Sequence, residues 1–393
     1  MEETMKQIYS NRILESKPSF VREILKYASQ PGMISFAGGL PNPIAIPTKA
    51  LELSSARVIK DNGYKTFQYS NSEGLLPLRE LIAKRYYDRF RYEVSADEIL
   101  ITTGSQQAND LVGKVLLNKG DKVLIEKPAY LGAIQILSMY EPKFLEVDLE
   151  EDGPDLNMLE DLLKTNDVKL MYTVPNFQNP TGITYSLEKR KKICELLNQY
   201  QVVLIEDDPY GDLRFQGMDL PYIGADKLEH SILFGSFSKI ISPGVRIGYL
   251  CTKDKELMQK LIIAKQATDL HTDILAQHIL YDYLIHNDLE EHISDIKHLY
   301  RKQSSTMIEC LNSFLSSKIT FTKPEGGMFL WAKRIDNGSA KELFHECINS
   351  NVAFVPGDPF YINTTKAPTF RLNYTNSNED EIIQGVKRIA KAI

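Results

Sequence analysis

The chain has 393 residues and is 43% hydrophobic and 25% charged, a composition that excludes a disordered protein and suggests two or more domains or lobes. Its net charge of −6 provides no overall basic surface, which argues against a nucleic-acid-binding protein. Because no long apolar run, charged-then-apolar leader, C-x-x-C or H-E-x-x-H spacing is evident, we expect a cytoplasmic protein without a metal site.

The N-terminal region combines a helical pattern with a glycine-containing segment. Apolar side chains fall on one stripe over residues 20–27, which predicts an amphipathic helix. The string S-F-A-G-G-L-P follows from Ser35, and Gly38 and Gly39 would let the backbone approach a ligand closely. The alternative is an ordinary turn. Two further helical patterns over residues 48–95 flank Tyr69, which periodicity alone assigns to a loop.

From Ile99 onward, short apolar runs alternate with helical patterns. Such alternation predicts a mostly parallel α/β sheet with helices on both faces. Ligands bind to sheets of this kind at the carboxyl ends of the strands. The runs predicted as strands cover residues 99–102, 123–126, 144–147, 170–174, 202–205, 232–234 and 247–250.

Polar and aromatic side chains follow several of these predicted strands. Ser105 and Gln106 open a helix, and the N–H groups of a helix N-terminus attract anions such as phosphate. A plain serine cap would explain Ser105 equally well. The residues after the later strands are Tyr130, Asn179 in an N-P-T-G turn, Asp207 and Tyr210. Taken singly, they are also explained as core tyrosines, a turn former and a capping acid.

The segment 231–251 carries a lysine, Lys239, between two apolar strands. Such surroundings lower the pKa of an amine and make it available as a nucleophile that can form an imine. Ser236, Ser238 and Arg246 supply hydroxyl groups and a positive charge for a phosphate beside that imine. An aldehyde that also carries a phosphate is pyridoxal 5'-phosphate (PLP). The alternative is a solvated loop.

The C-terminal third has the pattern of a smaller α+β domain. An apolar stripe from Leu289 to Leu315 predicts one long helix of about 40 Å, which could link two lobes. Short predicted strands then alternate with helices. In one of these strands Arg371 requires an anion, which is either a structural ion-pair partner or the carboxylate of a ligand.

Two strings carry a resemblance to a known family. S-x-S-K at residues 236–239, followed by P-G-x-R-x-G-Y at 243–249, resembles the lysine segment of fold-type I PLP enzymes, the class I and II aminotransferases. S-F-A-G-G-L-P is similar to the entrance segment of the α-aminoadipate and kynurenine subgroup. The resemblance implies an α/β large domain with a mostly parallel seven-stranded sheet, and a smaller α+β domain built from both ends of the chain. The implied division is 1–47, an entrance segment, 48–285, the PLP-binding domain, and 286–393, a linking helix and the small domain.

The resemblance also implies a role for each candidate residue. Lys239 binds PLP and then, as a free amine, moves a proton, while Asp207 keeps the pyridine nitrogen protonated. The other implied cofactor contacts are Asn179 and Tyr210 to the phenolic oxygen, Tyr130 to the ring, and Ser105, Gln106, Ser236, Ser238, Arg246 and the partner subunit's Tyr69 to the phosphate. The implied substrate contacts are Arg371 and Asn179 to the α-carboxylate, Gly39 at the entrance, and Arg22 to the side chain.

The activity that follows is transfer of an amino group from an L-amino acid to a 2-oxo acid such as 2-oxoglutarate, by a homodimer. Aminoadipate, kynurenine and aromatic amino acids are the expected donors. A different PLP reaction, β-elimination or decarboxylation, could use the same residues. A PLP-binding sensor domain, of the kind fused to winged-helix repressors, is the other alternative. We expect too little chain before Ser35 for the DNA-binding segment of such a protein.

Overall fold

A computed structural model describes residues 8–14, 24, 30–225 and 228–393. The predicted helix at 20–27 and the candidate Arg22 lie outside the described residues, apart from the buried Ile24. Within the described part of the chain, no helix combines the length and apolar character that a membrane span requires.

The centre of the molecule is an eight-stranded sheet with the strand order β2-β9-β8-β7-β6-β3-β4-β5. Strands β2, β3, β4, β6, β7 and β8 run in one direction, and β5 and β9 run in the other. The prediction of a mostly parallel sheet is therefore confirmed. The strands are β2 Ile99–Thr102, β3 Lys122–Lys127, β4 Lys143–Glu150, β5 Gly153–Pro154, β6 Val168–Thr173, β7 Val203–Asp207, β8 Ser231–Ser236 and β9 Gly248–Cys251.

The sheet has one strand more than the seven expected. The additional strand is β5, which comprises two residues and pairs antiparallel with the end of β4. A pair of residues is too short to show the alternation that identifies a strand in a sequence. The seven predicted strands are all present. Runs such as Ile99–Thr102 are apolar throughout because they are buried along their whole length, in a sheet that is covered on both faces, and this makes them recognisable in the sequence.

Helices connect these strands and pack through their apolar faces. In the fourth helix, for example, Leu111 and Val112 are fully buried against the sheet. The helices up to the last strand of the large sheet are α1 Asn11–Leu14, α2 Thr48–Asn62, α3 Leu76–Phe90, α4 Ser105–Leu116, α5 Leu131–Ser138, α6 Leu156–Thr165 and α7 Leu187–Gln199. After β9 come α8 Lys255–Gln266, α9 Ile274–His286 and the long α10 Leu289–Leu315, which confirms the predicted stripe.

The C-terminal part forms a second, smaller sheet. Its four strands are antiparallel in the order β10-β11-β14-β13, and a separate two-stranded sheet pairs β1 with β12. This last pair joins the N-terminal segment to the C-terminal segment of the chain. The remaining elements are β1 Ile34–Ser35, β10 Ile319–Phe321, β11 Phe329–Arg334, α11 Ala340–Asn349, β12 Val352–Ala353, β13 Val355–Pro356, β14 Thr369–Asn373 and α12 Glu379–Ala392.

The direction of the strands places most of the predicted polar residues along one edge of the large sheet. Strands β2, β3, β6, β7 and β8 all end there, and the antiparallel β9 begins there. Asp207 is the last residue of β7, the segments after the other ends carry Ser105, Tyr130, Asn179 and Lys239, and Arg246 precedes β9. Residues that are far apart in the sequence therefore meet at one edge.

Candidate active site

Lys239 lies in the turn after β8, half-buried beneath the N-terminal segment. Its Nζ donates a hydrogen bond of 2.9 Å to the backbone carbonyl of Gly39. Burial, together with the positive charges of Arg371 and Arg246, lowers the pKa of Lys239 to about 8. The amine is therefore less basic than an ordinary lysine, as its position between apolar strands predicted, and part of it is unprotonated near neutral pH.

Asp207 is the last residue of β7 and is almost fully buried. The hydroxyl of Tyr172 donates to its Oδ2 at 2.7 Å, whereas Oδ1 is buried and makes no hydrogen bond with the described residues. Burial raises the pKa of Asp207 to about 7, against the lowering effects of the Tyr172 hydrogen bond and of Ser105. The carboxyl group therefore has one oxygen that is held by the protein and one that is available to a ligand.

Arg371, Asn179 and Tyr210 form a hydrogen-bonded chain across the site. Arg371 Nη1 donates to Asn179 Oδ1 at 2.8 Å, and Asn179 Nδ2 donates to the Tyr210 hydroxyl at 3.1 Å. Burial raises the pKa of Tyr210 well above its ordinary value, so the hydroxyl stays protonated and can also donate. These two hydrogen bonds join Arg371 in β14 of the small sheet to two loops that follow strands of the large sheet.

The guanidinium of Arg371 is buried without a structural ion-pair partner. Among the described residues its polar contacts are an amide oxygen and a backbone carbonyl, and no carboxylate lies within 4.0 Å of it. Its Nη2 donates to the Ala37 carbonyl at 2.8 Å, the centre of the Phe329 ring lies 4.2 Å from the guanidinium carbon, and Nε has no hydrogen-bond partner in the described part of the chain. Burial lowers the pKa of Arg371 to about 10, so it remains a cation at neutral pH.

A candidate anion site lies where β2 meets α4. Gly104, with a positive φ of 77°, is the N-cap of α4, and Ser105 is the first residue of the helix. The alternative explanation of Ser105 as a plain serine cap is therefore not supported. The Ser105 hydroxyl is buried and makes no hydrogen bond of good geometry with the described residues, although it lies close enough to the Asp207 carboxyl group to lower its pKa. The Arg246 side chain passes so close that a Cβ at Gly104 would lie 2.6 Å from its Nη2. Exposed helix N–H groups and a guanidinium therefore face the same space.

Ser236, Gln106 and Tyr130 are the remaining candidates for contact with a cofactor. Ser236 ends β8, and its hydroxyl accepts a hydrogen bond of 3.2 Å from the backbone N–H of Ser238. Gln106 is exposed in the first turn of α4. Tyr130 precedes α5, and burial, followed by the negative charge of Asp207, raises the pKa of its hydroxyl.

Tyr69 is not brought into the site of its own chain. Its side chain is 79% exposed and contacts the ring of His271 edge-on, with the ring centroids 5.9 Å apart. Gly39 is in the site, but through its carbonyl group, which accepts from Lys239. A Cβ at this glycine would lie 3.3 Å from the ring of Phe329.

Sequence reasoning missed three residues that complete the site. Tyr172 holds Asp207, the carbonyl of Ala37 holds Arg371, and the Phe329 ring lies beside the guanidinium. Tyr172 lies within the largely apolar strand β6, and nothing in the sequence distinguishes it from an ordinary core residue. Its position in β6, which is paired with β7, could have suggested the contact once the strand order was known.

Comparison with known proteins defines the class of protein. Residues 42–389 match the family described as aminotransferase class I and II. The chain belongs to this family, and it is an aminotransferase with the fold of the fold-type I enzymes.

Three relatives illustrate the similarity. The chain is 37% identical to aromatic-amino-acid aminotransferase 1 of Thermococcus litoralis over 98% of this chain and 94% of the relative. It is 39% identical to 2-aminoadipate transaminase of Thermus thermophilus over 95% of this chain and 94% of the relative. The crystal structure of α-aminoadipate aminotransferase from Thermus thermophilus, complexed with N-(5'-phosphopyridoxyl)-L-leucine, superimposes with a TM-score of 0.92 at 37% identity, covering 99% of this chain and 97% of the other.

Proposed function

We propose that this aminotransferase transfers the amino group of aminoadipate, kynurenine, aromatic and related L-amino acids to a 2-oxo acid such as 2-oxoglutarate, in a ping-pong reaction with PLP. The observation that carries the proposal is the buried guanidinium of Arg371, which faces the lysine site without a carboxylate partner among the described residues. Amino acids and 2-oxo acids both carry a carboxylate next to the reacting carbon, and a guanidinium can bind such a group with two parallel hydrogen bonds. The named relatives support this choice of substrates.

The residues at the site fit PLP. Oδ1 of Asp207 and Oγ of Ser105 are buried polar atoms that lack a partner among the described residues, and a pyridinium N–H and a phosphate would satisfy them. The residues that would hold the phosphate supply the N-terminus of a helix, hydroxyl groups and a guanidinium, the donors that phosphates prefer. They are Ser105, Gln106, Ser236, Ser238 and Arg246.

The other proposed contacts are those that the resemblance to the class I and II aminotransferases implies. Lys239 would hold the aldehyde carbon of PLP through its amine, and Asp207 would hold the ring nitrogen. Asn179 and Tyr210, which are hydrogen-bonded to each other, would hold the phenolic oxygen, and Tyr130 would cover a face of the ring. When bound, PLP supplies a conjugated ring that accepts the electron pair of a bond broken at the substrate Cα.

The protein's own residues perform the proton transfer and the orientation. With a pKa of about 8, the Lys239 amine is partly unprotonated near neutral pH, so Nζ can accept the proton of the substrate Cα and donate it again. Arg371 and Asn179 bind the α-carboxylate and thereby fix the orientation of the Cα–H bond. The buried hydrogen bond between these two residues holds them in position before substrate arrives.

The experiment is an amino-donor panel with the purified PLP-loaded protein. L-aminoadipate, L-kynurenine, L-phenylalanine and L-leucine are each added with 2-oxoglutarate, and the release of glutamate is measured. Formation of one glutamate per donor consumed supports the proposal. Release of ammonia or carbon dioxide without glutamate would instead assign one of the other PLP reactions. Uptake of PLP without any turnover would favour the sensor domain.

Arg22 lies outside the described residues, and its contact with the substrate side chain remains a proposal. We expect the Arg22→Ala variant to lose preference for aminoadipate and glutamate over leucine, because the side-chain carboxylate loses its cation. The measurement is kcat/KM for the four donors aminoadipate, glutamate, kynurenine and leucine. An unchanged ranking would remove Arg22 from the binding site.

We further propose a homodimer in which Tyr69 reaches the phosphate of the partner's PLP. The exposure of this side chain, and of the neighbouring Tyr64 and Phe67, supports the proposal. Lys239→Ala and Tyr69→Phe subunits can be mixed to test it. In a mixed dimer one site has both residues intact, so activity should exceed the sum of the separate variants. If mixed dimers form but activity remains that sum, Tyr69 serves its own subunit or none.

We also propose a cytoplasmic location, a role in amino acid biosynthesis and the domain division 1–47, 48–285 and 286–393. All four cysteines lie in the described residues, are buried and form no disulfide, which suits a reducing compartment. Pairing of β1 with β12 supports a small domain that includes both ends of the chain. Cell fractionation, an amino acid requirement of a deletion strain and limited proteolysis at the two boundaries are the respective tests.

A further inference from the structure

Lys265 in α8 is a buried cation outside the set of residues discussed so far. Its side chain is 0% exposed, and burial lowers its pKa. Asp269, one helical turn further on, is its carboxylate partner at 2.9 Å and is itself 29% exposed. Burying a lysine is costly, and an apolar residue would usually fill such a position at lower cost. The other hydrogen-bond partners of Lys265 suggest a role for its positive charge.

Those partners lead directly to the turn that forms the anion site. Lys265 Nζ donates to Gln107 Oε1 at 2.9 Å, and the same oxygen accepts the backbone N–H of Thr103 at 2.8 Å. Gln107 Nε2 donates to Asp269 at 2.6 Å, so both ends of the amide are held. Lys265 also donates to the hydroxyl of Thr272 at 3.0 Å.

Thr103 is thereby held from three directions. Gln107 accepts from its N–H, its hydroxyl lies 3.3 Å from that of Thr272, and its carbonyl accepts from Arg246 Nη2 at 3.2 Å. Thr103 immediately precedes Gly104 and Ser105, whose N–H and hydroxyl groups face the phosphate site. The buried amine therefore supports, through Gln107 and Thr103, both the start of α4 and the side chain of Arg246.

We propose that Lys265 is a positioning residue that sets the affinity of the anion site for the phosphate of PLP without touching it. Without the amine, Asp269 loses its cation and the Gln107 amide loses one of the contacts that fix its orientation. The turn at Thr103 can then move relative to Arg246. We expect the effect to fall mainly on the phosphate, because the hydrogen bonds of Lys265 go to Gln107, Asp269 and Thr272 and none goes directly to Asp207 or Lys239. This inference rests on the proposed binding of PLP.

The test compares PLP with pyridoxal, the same aldehyde without a phosphate, in the Lys265→Met variant. Cofactor-free protein is titrated with each compound, and the dissociation constant is obtained from the absorbance that develops on reaction with Lys239. We expect PLP affinity to fall about tenfold, the loss typical of one charge-assisted hydrogen bond, and pyridoxal affinity to change less than about twofold. Lys260→Met, on the exposed side of the same helix, is the matched control and should change neither constant.

The outcomes separate the inference from the proposed function. If both compounds weaken in parallel, or neither changes, the proposal for Lys265 is wrong. If the unsubstituted protein reacts with neither compound, the proposed function fails and the inference falls with it. Should Lys265→Met not fold, Gln107→Leu removes the same contact from α4 and should produce the same selective loss for PLP.

Discussion

Replacement of Asp207 by asparagine in the cofactor-free protein offers a direct test of the electrostatics of the site. Burial raises the pKa of this carboxyl group from 3.8 to about 7. A difference of about 3 pKa units, at 1.36 kcal/mol per unit, corresponds to an upper limit of about 4 kcal/mol in the free energy of unfolding. The groups that act on it are Tyr172 and Ser105, which lower the pKa, and Asp208 and Glu126, which raise it.

The sign follows from the protons bound by each state. Between pH 4 and pH 7 the folded protein keeps the Asp207 proton and the unfolded chain loses it, so this residue's contribution to stability falls as the pH rises. The asparagine variant has no such group. The free energy of unfolding of the variant minus that of the unsubstituted protein should therefore increase by up to about 4 kcal/mol between pH 4 and pH 7. Above pH 7 this difference should remain constant.

Urea unfolding of both proteins without PLP, followed at several pH values, measures this difference. Other buried carboxyl groups with raised pKa values, such as Glu206, are present in both proteins and cancel. Asp207→Glu is a useful companion variant because it keeps a titrating carboxyl group near the site. A difference that stays flat between pH 4 and pH 7 would refute the raised pKa and the view of Asp207 as a carboxyl group that is buried to receive a ligand.

The remaining predictions concern four neighbouring residues. Lys239→Ala should keep PLP but lose the absorbance of the imine with Lys239 and all activity, and in the unsubstituted protein the rate of PLP uptake should rise with pH until about 8. Arg371→Leu should raise the KM for both amino acid and 2-oxo acid about 100-fold, measured by steady-state kinetics, because a bidentate ion pair is lost. Gly104→Ala, with φ at 77°, should weaken PLP binding about tenfold in a titration because an L-residue is strained there. Tyr172→Phe should raise the pKa of Asp207 further, by about 1 unit, and shift the unfolding profile accordingly.

Much of the fold could be predicted because strands and helices are encoded locally. The apolar runs that became β2, β7, β8 and β9 are buried along nearly their whole length, so each reads as a continuous hydrophobic segment. Leu289–Leu315 formed the expected helix because its apolar residues recur at helical spacing. The two-residue strand β5 carries no such pattern, and only its neighbour β4 makes it a strand.

The chemistry of the site could also be anticipated, because side chains that bind a cofactor differ from those of the core. Lys239, Asp207 and Arg371 were identified by charge in apolar surroundings. The contacts that adjust them were not predictable, since several are backbone carbonyls, such as those of Gly39 and Ala37, and every residue has one. Others join positions that are remote in the chain, such as Arg371 and Asn179, 192 residues apart.

The sequence by itself therefore determined the order of the elements and the reactive groups at their ends, because hydrophobic spacing and side-chain chemistry are local properties. The tertiary structure decided which of these groups share a site, which oxygen of Asp207 has no hydrogen bond from the described residues, and which residues surround the buried Lys265. These outcomes depend on the direction of strands and on the packing of distant segments. Neither can be derived from spacing along the chain, because the same run of apolar residues fits a strand in either direction.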